Sequence, residues 1–228
     1  MGKFLKNVKK CRVKGNAIIA EIKAVSPTLG DLMNGRSVQD LVEAYESGGA
    51  CAVSYITSPF FGGSLEALRE ICSITELPVL RKDFIVTKDE IEKTAEAEGD
   101  AVLLISRILK ESTAEFVDFA REHGIESVVE VHSINDIEYA INSESPIIGI
   151  NNRDIAILEK DDGSIEVTEK LSPLIDSHAL KISESGIQTR KHVERALRYA
   201  DAILVGTAFM KAENIERKVL EFVGDENA

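Results

Sequence analysis

Short apolar runs alternate along the chain with stretches in which apolar positions recur at helical spacing. The runs lie at 17–22, 52–56, 79–80, 101–105, 127–131, 147–150, 180–182 and 202–205, and between and after them helices are predicted over 38–47, 65–74, 88–97, 113–122, 135–141, 166–175, 190–199 and 215–222. A strand followed by an amphipathic helix, repeated, is the pattern of βα units building a parallel sheet. Ser37, Ser64 and Ser112 stand where they could cap the free N–H groups of a helix start, and Gly48, Gly99 and Gly124 stand where a helix should stop.

Eight such units favour a closed (β/α)8 TIM barrel. A doubly wound open sheet also alternates strand and helix, but its first βα loop would carry a glycine fingerprint, and here that loop reads Ser26-Pro27-Thr28-Leu29-Gly30. No proline-rich linker or low-complexity segment divides the chain. It is read as one barrel domain over 1–228, with a short N-terminal extension at about 1–16 whose conformation the pattern leaves open.

Composition agrees with this reading. The 228 residues suit one barrel, and a chain that is 44% hydrophobic with 5% aromatic residues and no Trp must fill its core with branched aliphatic side chains, as barrel interiors do. The formal net charge of −12 argues against a nucleic-acid surface, so an anionic ligand would need a local basic pocket. Cys11, Cys51 and Cys72 form no C-x-x-C pair and read as reduced thiols, with Cys51 packed at a strand. The first ten residues lack the apolar stretch of a signal peptide, and no run of 18 apolar residues occurs. A cytoplasmic protein with no membrane partner is therefore expected.

Candidate chemistry collects at the ends of the apolar runs. Glu21 and Lys23 end the first, Lys82 the third, Glu130 the fifth, and Asn151 and Arg153 follow the sixth; Glu184, Ser185 and Gly186 follow the seventh, and Gly206 and Thr207 the eighth. Parallel barrels gather their active sites at the C-terminal strand ends, so polar groups arriving there from several strands point to one mouth, although any one of them could be a solvated strand end. The glycines after the last two strands stand where barrels often bind phosphate, or they are ordinary turns. Lysines in such a mouth can bind phosphate, donate a proton or form a Schiff base, and Glu21 and Glu130 are possible bases. His123, His132, His178 and His192 are scattered without an H-x-x-x-H pair, which argues against a metal site.

The segments Ile19-Ala20-Glu21-Ile22-Lys23 with Ser26-Pro27, Leu80-Arg81-Lys82-Asp83-Phe84, Glu130-Val131-His132, Gly149-Ile150-Asn151-Asn152-Arg153-Asp154, Ser183-Glu184-Ser185-Gly186-Ile187 and Leu204-Val205-Gly206 together resemble indole-3-glycerol phosphate synthase. The resemblance spreads from about residue 17 to residue 211 and implies a carbon–carbon lyase of tryptophan biosynthesis. Such an enzyme converts 1-(2-carboxyphenylamino)-1-deoxyribulose 5-phosphate into indole-3-glycerol phosphate, with loss of carbon dioxide and water and with no metal or organic cofactor. Its partner is a small sugar-phosphate substrate rather than a nucleic acid, and a monomer is expected.

By the same resemblance Lys82 is the general acid at the ketone oxygen. Glu130 assists the later proton removal and dehydration, and Lys23 holds the phosphate or carboxylate side and shares the acid role. Glu21, Asn151, Glu184 and Ser185 position the substrate and tune the lysines. Arg153 lies near the carboxylate, Ser26, Gly186, Gly206 and Thr207 lie on the phosphate side, and Phe60, Phe84 and Leu104 form an apolar wall for the anthranilate ring, unless these three are plain core. Arg107 stands where some relatives have Lys and is placed with the substrate-binding residues. Other readings are phosphoribosylanthranilate isomerase, whose strand-end cysteine is missing, a Schiff-base aldolase using Lys82, and a barrel that only binds.

Overall fold

The computed structural model describes residues 1–153, 164–176 and 178–224. Asp154 of the quoted motif lies outside the described residues. Eight parallel strands form a closed barrel: β1 (Ala17–Ile22), β2 (Ala52–Ile56), β3 (Val79–Lys82), β4 (Ala101–Ile105), β5 (Glu126–Val131), β6 (Ile147–Asn151), β7 (Leu180–Glu184) and β8 (Ala202–Val205). Each strand pairs with its sequence neighbour, and β1 closes the ring against β8 through Ala17↔Ala202 to Ala20↔Val205. The chain is thus a single-domain TIM barrel.

Period-two alternation sorts each strand between two environments. Ile19, Leu80, Leu103, Val128, Ile147, Ile182 and Leu204 point inward and pack with one another, whereas Ile18, Val53, Leu104, Val129, Ile148 and Ile203 point outward beneath the helices. Burial on both faces is why the strands read as continuous apolar runs.

The helices follow the predicted order: α2 (Val38–Ser47), α3 (Leu65–Ile74), α4 (Lys88–Glu96), α6 (Thr113–Glu122), α7 (Ile134–Asn142), α8 (Glu166–Leu171), α9 (Arg190–Ala196) and α11 (Ile215–Val223). Ser37 caps α2 in a reciprocal capping box with Asp40, and the Ser64 hydroxyl accepts from Ala67 N–H at 3.1 Å. Ser112 does not cap: residues Lys110–Ser112 form a 3-10 turn leading into α6, and Thr113 donates its hydroxyl to the Lys110 carbonyl instead. Helix α2 stops at Gly48, followed by left-handed Gly49; α4 stops two residues before Gly99, at Ala97, followed by left-handed Glu98; and α6 stops at His123, just before the left-handed Gly124. The third-last and second-last predicted helices end early, α8 at Leu171 before a 3-10 turn over Ser172–Leu174, and α9 at Ala196.

Three helices and a short hairpin were not expected. Helix α1 (Lys3–Lys14) lies across the N-terminal end of the barrel, where Phe4, Leu5 and Val8 join the interior cluster of Ile19, Leu80 and Leu103. The Glu126 carboxylate accepts from Phe4 N–H at 2.8 Å and Leu5 N–H at 3.3 Å, supplying the cap that Gly2 cannot. Short helices α5 (Ser106–Leu109) and α10 (Thr207–Met210) follow β4 and β8. In the β1 loop, Val25–Ser26 pairs antiparallel with Gly30–Asp31. The thiols of Cys11, Cys51 and Cys72 are free, with Cys51 fully buried next to β2. No helix among the described residues is long and apolar enough to cross a membrane.

Candidate active site

Above the apolar interior, the next inward position of several strands is polar. Glu21, Lys82, Glu130, Asn151 and Glu184 arrive from β1, β3, β5, β6 and β7, so residues far apart in sequence meet at the C-terminal mouth. Lys82 Nζ stands 3.0 Å from Glu184 Oε2 and 3.4 Å from Glu21 Oε2. Burial pulls the lysine's proton affinity down, but the charges of Glu184, Glu21 and Glu130 outweigh it and hold the ammonium above its ordinary value. Glu130 is pushed up to about 7 by burial and by the neighbouring Glu184 charge, against the opposing pull of Lys82 and a hydrogen bond with Asn151. Burial raises Glu184 as well.

The end of β3 is braced from behind. Arg81 donates to the Thr57 hydroxyl at 2.9 Å and to the Glu90 carbonyl at 2.7 Å, and it pairs with Asp83 at 3.3 Å. Thr57 in turn donates to Asp83 at 2.6 Å, so Arg81, Thr57 and Asp83 together tie the end of β3 to the loop after β2 and to α4. Just after β6, Asn152 donates to the Ser183 hydroxyl and the carbonyls of Glu184 and Ser185, which fixes the start of the loop after β7. Ser185 has φ 66° and Gly186 φ 74°. A left-handed serine carries a conformational cost of roughly 1–2 kcal/mol, which marks the turn as built for a purpose.

Two hollows open at this mouth. One, of about 680 Å³, is lined by Glu21, Lys82, Glu130, Asn151, Arg153 and Ser185 on its polar side, with Phe61, Phe84, Leu103, Ile56 and Ile105 as its apolar wall. The other, of about 400 Å³, shares Glu21, Arg153 and Ser185 with the first and is completed by Lys23, Gly186, Gly206 and Thr207. Lys23 is buried, reaching the Thr207 hydroxyl at 3.4 Å and standing 6.0 Å from the centre of the Phe61 ring.

The family model described as indole-3-glycerol phosphate synthase matches residues 2–222. The indole-3-glycerol phosphate synthase of Thermococcus kodakarensis is 55% identical over 214 residues, covering 92% of this chain and 94% of that protein. That of Pyrococcus abyssi is 52% identical over 219 residues, covering 96% and 95%. This chain belongs to the indole-3-glycerol phosphate synthase family. It is a carboxy-lyase of tryptophan biosynthesis, acting on a sugar-phosphate-type substrate. Among solved structures, thiamine phosphate pyrophosphorylase from Pyrococcus furiosus superposes with a TM-score of 0.66 at 15% identity, over 92% of this chain and 95% of that one, a likeness of fold alone.

Within this indole-3-glycerol phosphate synthase barrel, most residues singled out from sequence line one hollow or both. Leu104 does not: it faces outward with Val129 and Ile150, and its neighbours Leu103 and Ile105 form the wall, because adjacent strand residues point to opposite faces. Phe60 is 55% exposed, and it is Phe61 that turns inward, edge-on to Phe60. Arg107, on α5, lines neither hollow and approaches Asp136 at 3.8 Å. Ser26 is buried, its hydroxyl 3.4 Å from the N–H groups of Thr28 and Leu29, and it too lines neither hollow. Sequence reading missed Phe61, Leu103, Ile105 and Ile56. Leu103 follows once the register sets Leu80 beside Ala101, which alternation within β4 alone does not give, and nothing local distinguishes Phe61 from Phe60.

Proposed function

We propose that the two joined hollows hold 1-(2-carboxyphenylamino)-1-deoxyribulose 5-phosphate in a folded form, the ring in the apolar hollow and the phosphate in the other. The observation that carries this is their junction: an apolar-walled hollow with an acid and a base on its floor shares Glu21, Arg153 and Ser185 with a hollow lined by Lys23, two glycines and a threonine. Holding the ring over the ketone removes an entropic cost in advance.

Lys82 is the general acid. When the ring carbon attacks the ketone, negative charge grows on the carbonyl oxygen, and an ammonium already fixed there favours the transition state over the ground state. Three carboxylates keep Lys82 charged, which suits proton donation and opposes the free amine that a Schiff base requires. Departure of the carboxylate as carbon dioxide drives the step forward, with Arg153 beside it. Glu130, poised near neutrality, takes the proton released as water leaves. Lys23 and Thr207 hold the phosphate with Gly186 and Gly206, and Lys23 can assist in dehydration. Asn151, Glu184, Glu21 and Ser185 orient these groups, and Phe84 packs against the ring. The enzyme works as a cytoplasmic monomer.

The test is indole fluorescence on mixing the purified protein, without added metal, with the carboxyphenylamino-deoxyribulose phosphate. Rising fluorescence with carbon dioxide release in the parent, and its loss in Lys82→Ala, is the expected result; undiminished turnover in that variant overturns the assignment.

A further inference from the structure

The carboxylate that holds Lys82 most closely needs space inside a barrel whose strands otherwise fill it. Gly149 lies in the middle of β6, paired with Glu130 on β5 and Ile182 on β7, and it shares its inward face with Ile147 and Asn151. Its backbone does not ask for glycine, since it is absent from the residues of positive φ. Glycine within a strand gives up conformational entropy and packing, and often marks a close approach by another group. Here the approaching group is Glu184. A Cβ built on Gly149 would overlap Oε1 of Glu184 and would lie 3.2 Å from its Cδ and 3.3 Å from Cγ1 of Val128.

Neither neighbour can move away cheaply. Glu184 and Val128 both have 0% exposure, so the carboxylate has no open path to water and the valine is locked in the interior. Among the described residues no hydrogen-bond donor reaches Glu184 Oε1, so what holds this oxygen in place is the shape around it. The relationship recurs across the mouth: a Cβ on Gly206, whose φ is −116°, would overlap Oε1 of Glu21 and lie 3.2 Å from its Cδ. Gly206 also lines the hollow with Lys23, whereas Gly149 lines neither hollow and can be tested by itself.

We propose that Gly149 is a positioning residue of the reaction, a notch in β6 that seats the Glu184 carboxylate against the Lys82 ammonium. It touches no substrate and acts through Glu184. The inference rests on the assignment of Lys82 as the acid. Displacing Glu184 leaves, among the described residues, Glu21 from β1 and Glu130 from β5 as the carboxylates acting on Lys82, with Asn151 and the cation Arg153 lining the same hollow, so its charged form is held less firmly.

The experiment is a double-mutant cycle of Gly149→Ala and Glu184→Ala, read by indole fluorescence across pH, with thermal unfolding of each variant. Gly149→Ala is expected to lower kcat at least about tenfold with KM changed less than about threefold, and to move the alkaline limb of the pH–rate profile to lower pH. Added to Glu184→Ala, the same substitution is expected to cost less than about twofold, because the new methyl enters vacated space. Equal losses in both backgrounds, or an unchanged kcat in the single variant, overturn the proposal. If Gly149→Ala fails to fold, a folded double variant supports the notch and an unfolded one overturns it. Lys82→Ala is measured in parallel: its retained turnover would sink the acid assignment, while its loss alongside an additive cycle would sink the Gly149 inference alone.

Discussion

Lys82 Nζ and Glu184 Oε2 lie 3.0 Å apart, joining the ends of β3 and β7 across the barrel mouth. The pair is almost fully shielded from water, with the lysine side chain 13% exposed and the glutamate 0%. Removing one member of a buried pair leaves an uncompensated charge, so the partners are expected to fail together. Lys82→Ala should cut turnover by at least about a hundredfold, the lower range for loss of a general acid, with the fold retained because Glu184 can take up a proton. Fluorescence turnover and circular dichroism on the same sample check both halves.

As the proposed base, Glu130 should set the acid side of the activity. Its carboxyl is raised to about 7, so the catalytically competent carboxylate accumulates as pH rises through that value, and kcat should fall on the acid side with a limb near 7. The Glu184 charge is the second cause of that elevation, after burial, so Glu184→Gln should shift the limb to lower pH. A limb that stays in place in the Glu184→Gln profile would count against this coupling.

The same group links stability to pH. A folded-state value raised from the ordinary 4.5 to about 7 means that the native protein binds the proton more tightly than the unfolded chain. Glu130 therefore favours folding fully below about 4.5, and this contribution fades as pH rises through about 7. Glu130→Gln should raise the melting temperature relative to the parent at pH 8, with the gap closing as pH falls toward 4.5. Paired thermal melts across that window are the check. Substrate binding should survive in this variant while the chemistry slows.

Adjacent residues should separate binding from stability. Leu103→Ala and Phe61→Ala remove the wall of the larger hollow and should raise KM, whereas Phe60→Ala, at an exposed ring, should leave it nearly unchanged. Leu104→Ala should cost about 2–5 kcal/mol of stability with little change in KM, as expected for a buried leucine between sheet and helices. Denaturant titration and steady-state kinetics on the four variants distinguish the two faces.

Helix α1 should matter to the barrel rather than to the chemistry. Phe4 has 0% exposure in the cluster that closes the N-terminal end, so Phe4→Ala should cost about 3–5 kcal/mol, while kcat below the melting transition changes little. Urea unfolding followed by circular dichroism, with turnover measured in parallel, tests the separation.

Much of this architecture was legible in the order of residues. Runs such as Ala101–Ile105 and periodic stretches such as Val38–Ser47 coincide with observed elements because strand and helix leave different periods in sequence, and eight repeats favour closure. Lys82, Glu130 and Glu184 could be singled out because a charged residue at the end of an apolar run is conspicuous. Helix α1 was not legible: it buries only Phe4, Leu5 and Val8 amid lysines, too narrow a stripe to mark a face. The exchange of Leu104 for Leu103 was a matter of which face each side chain takes, and that phase is set by the register between strands.

The sequence by itself determined the succession of βα units, the family, and the set of strand ends that carry charge, because these depend on local period and residue type. Only the tertiary structure decided that Glu21 and Glu184 flank Lys82, that Phe61 rather than Phe60 faces the hollow, and that Gly149 makes room for a carboxylate from the next strand. Those relationships are distances between residues remote along the chain, and such distances come into being when the sheet closes and its register is set.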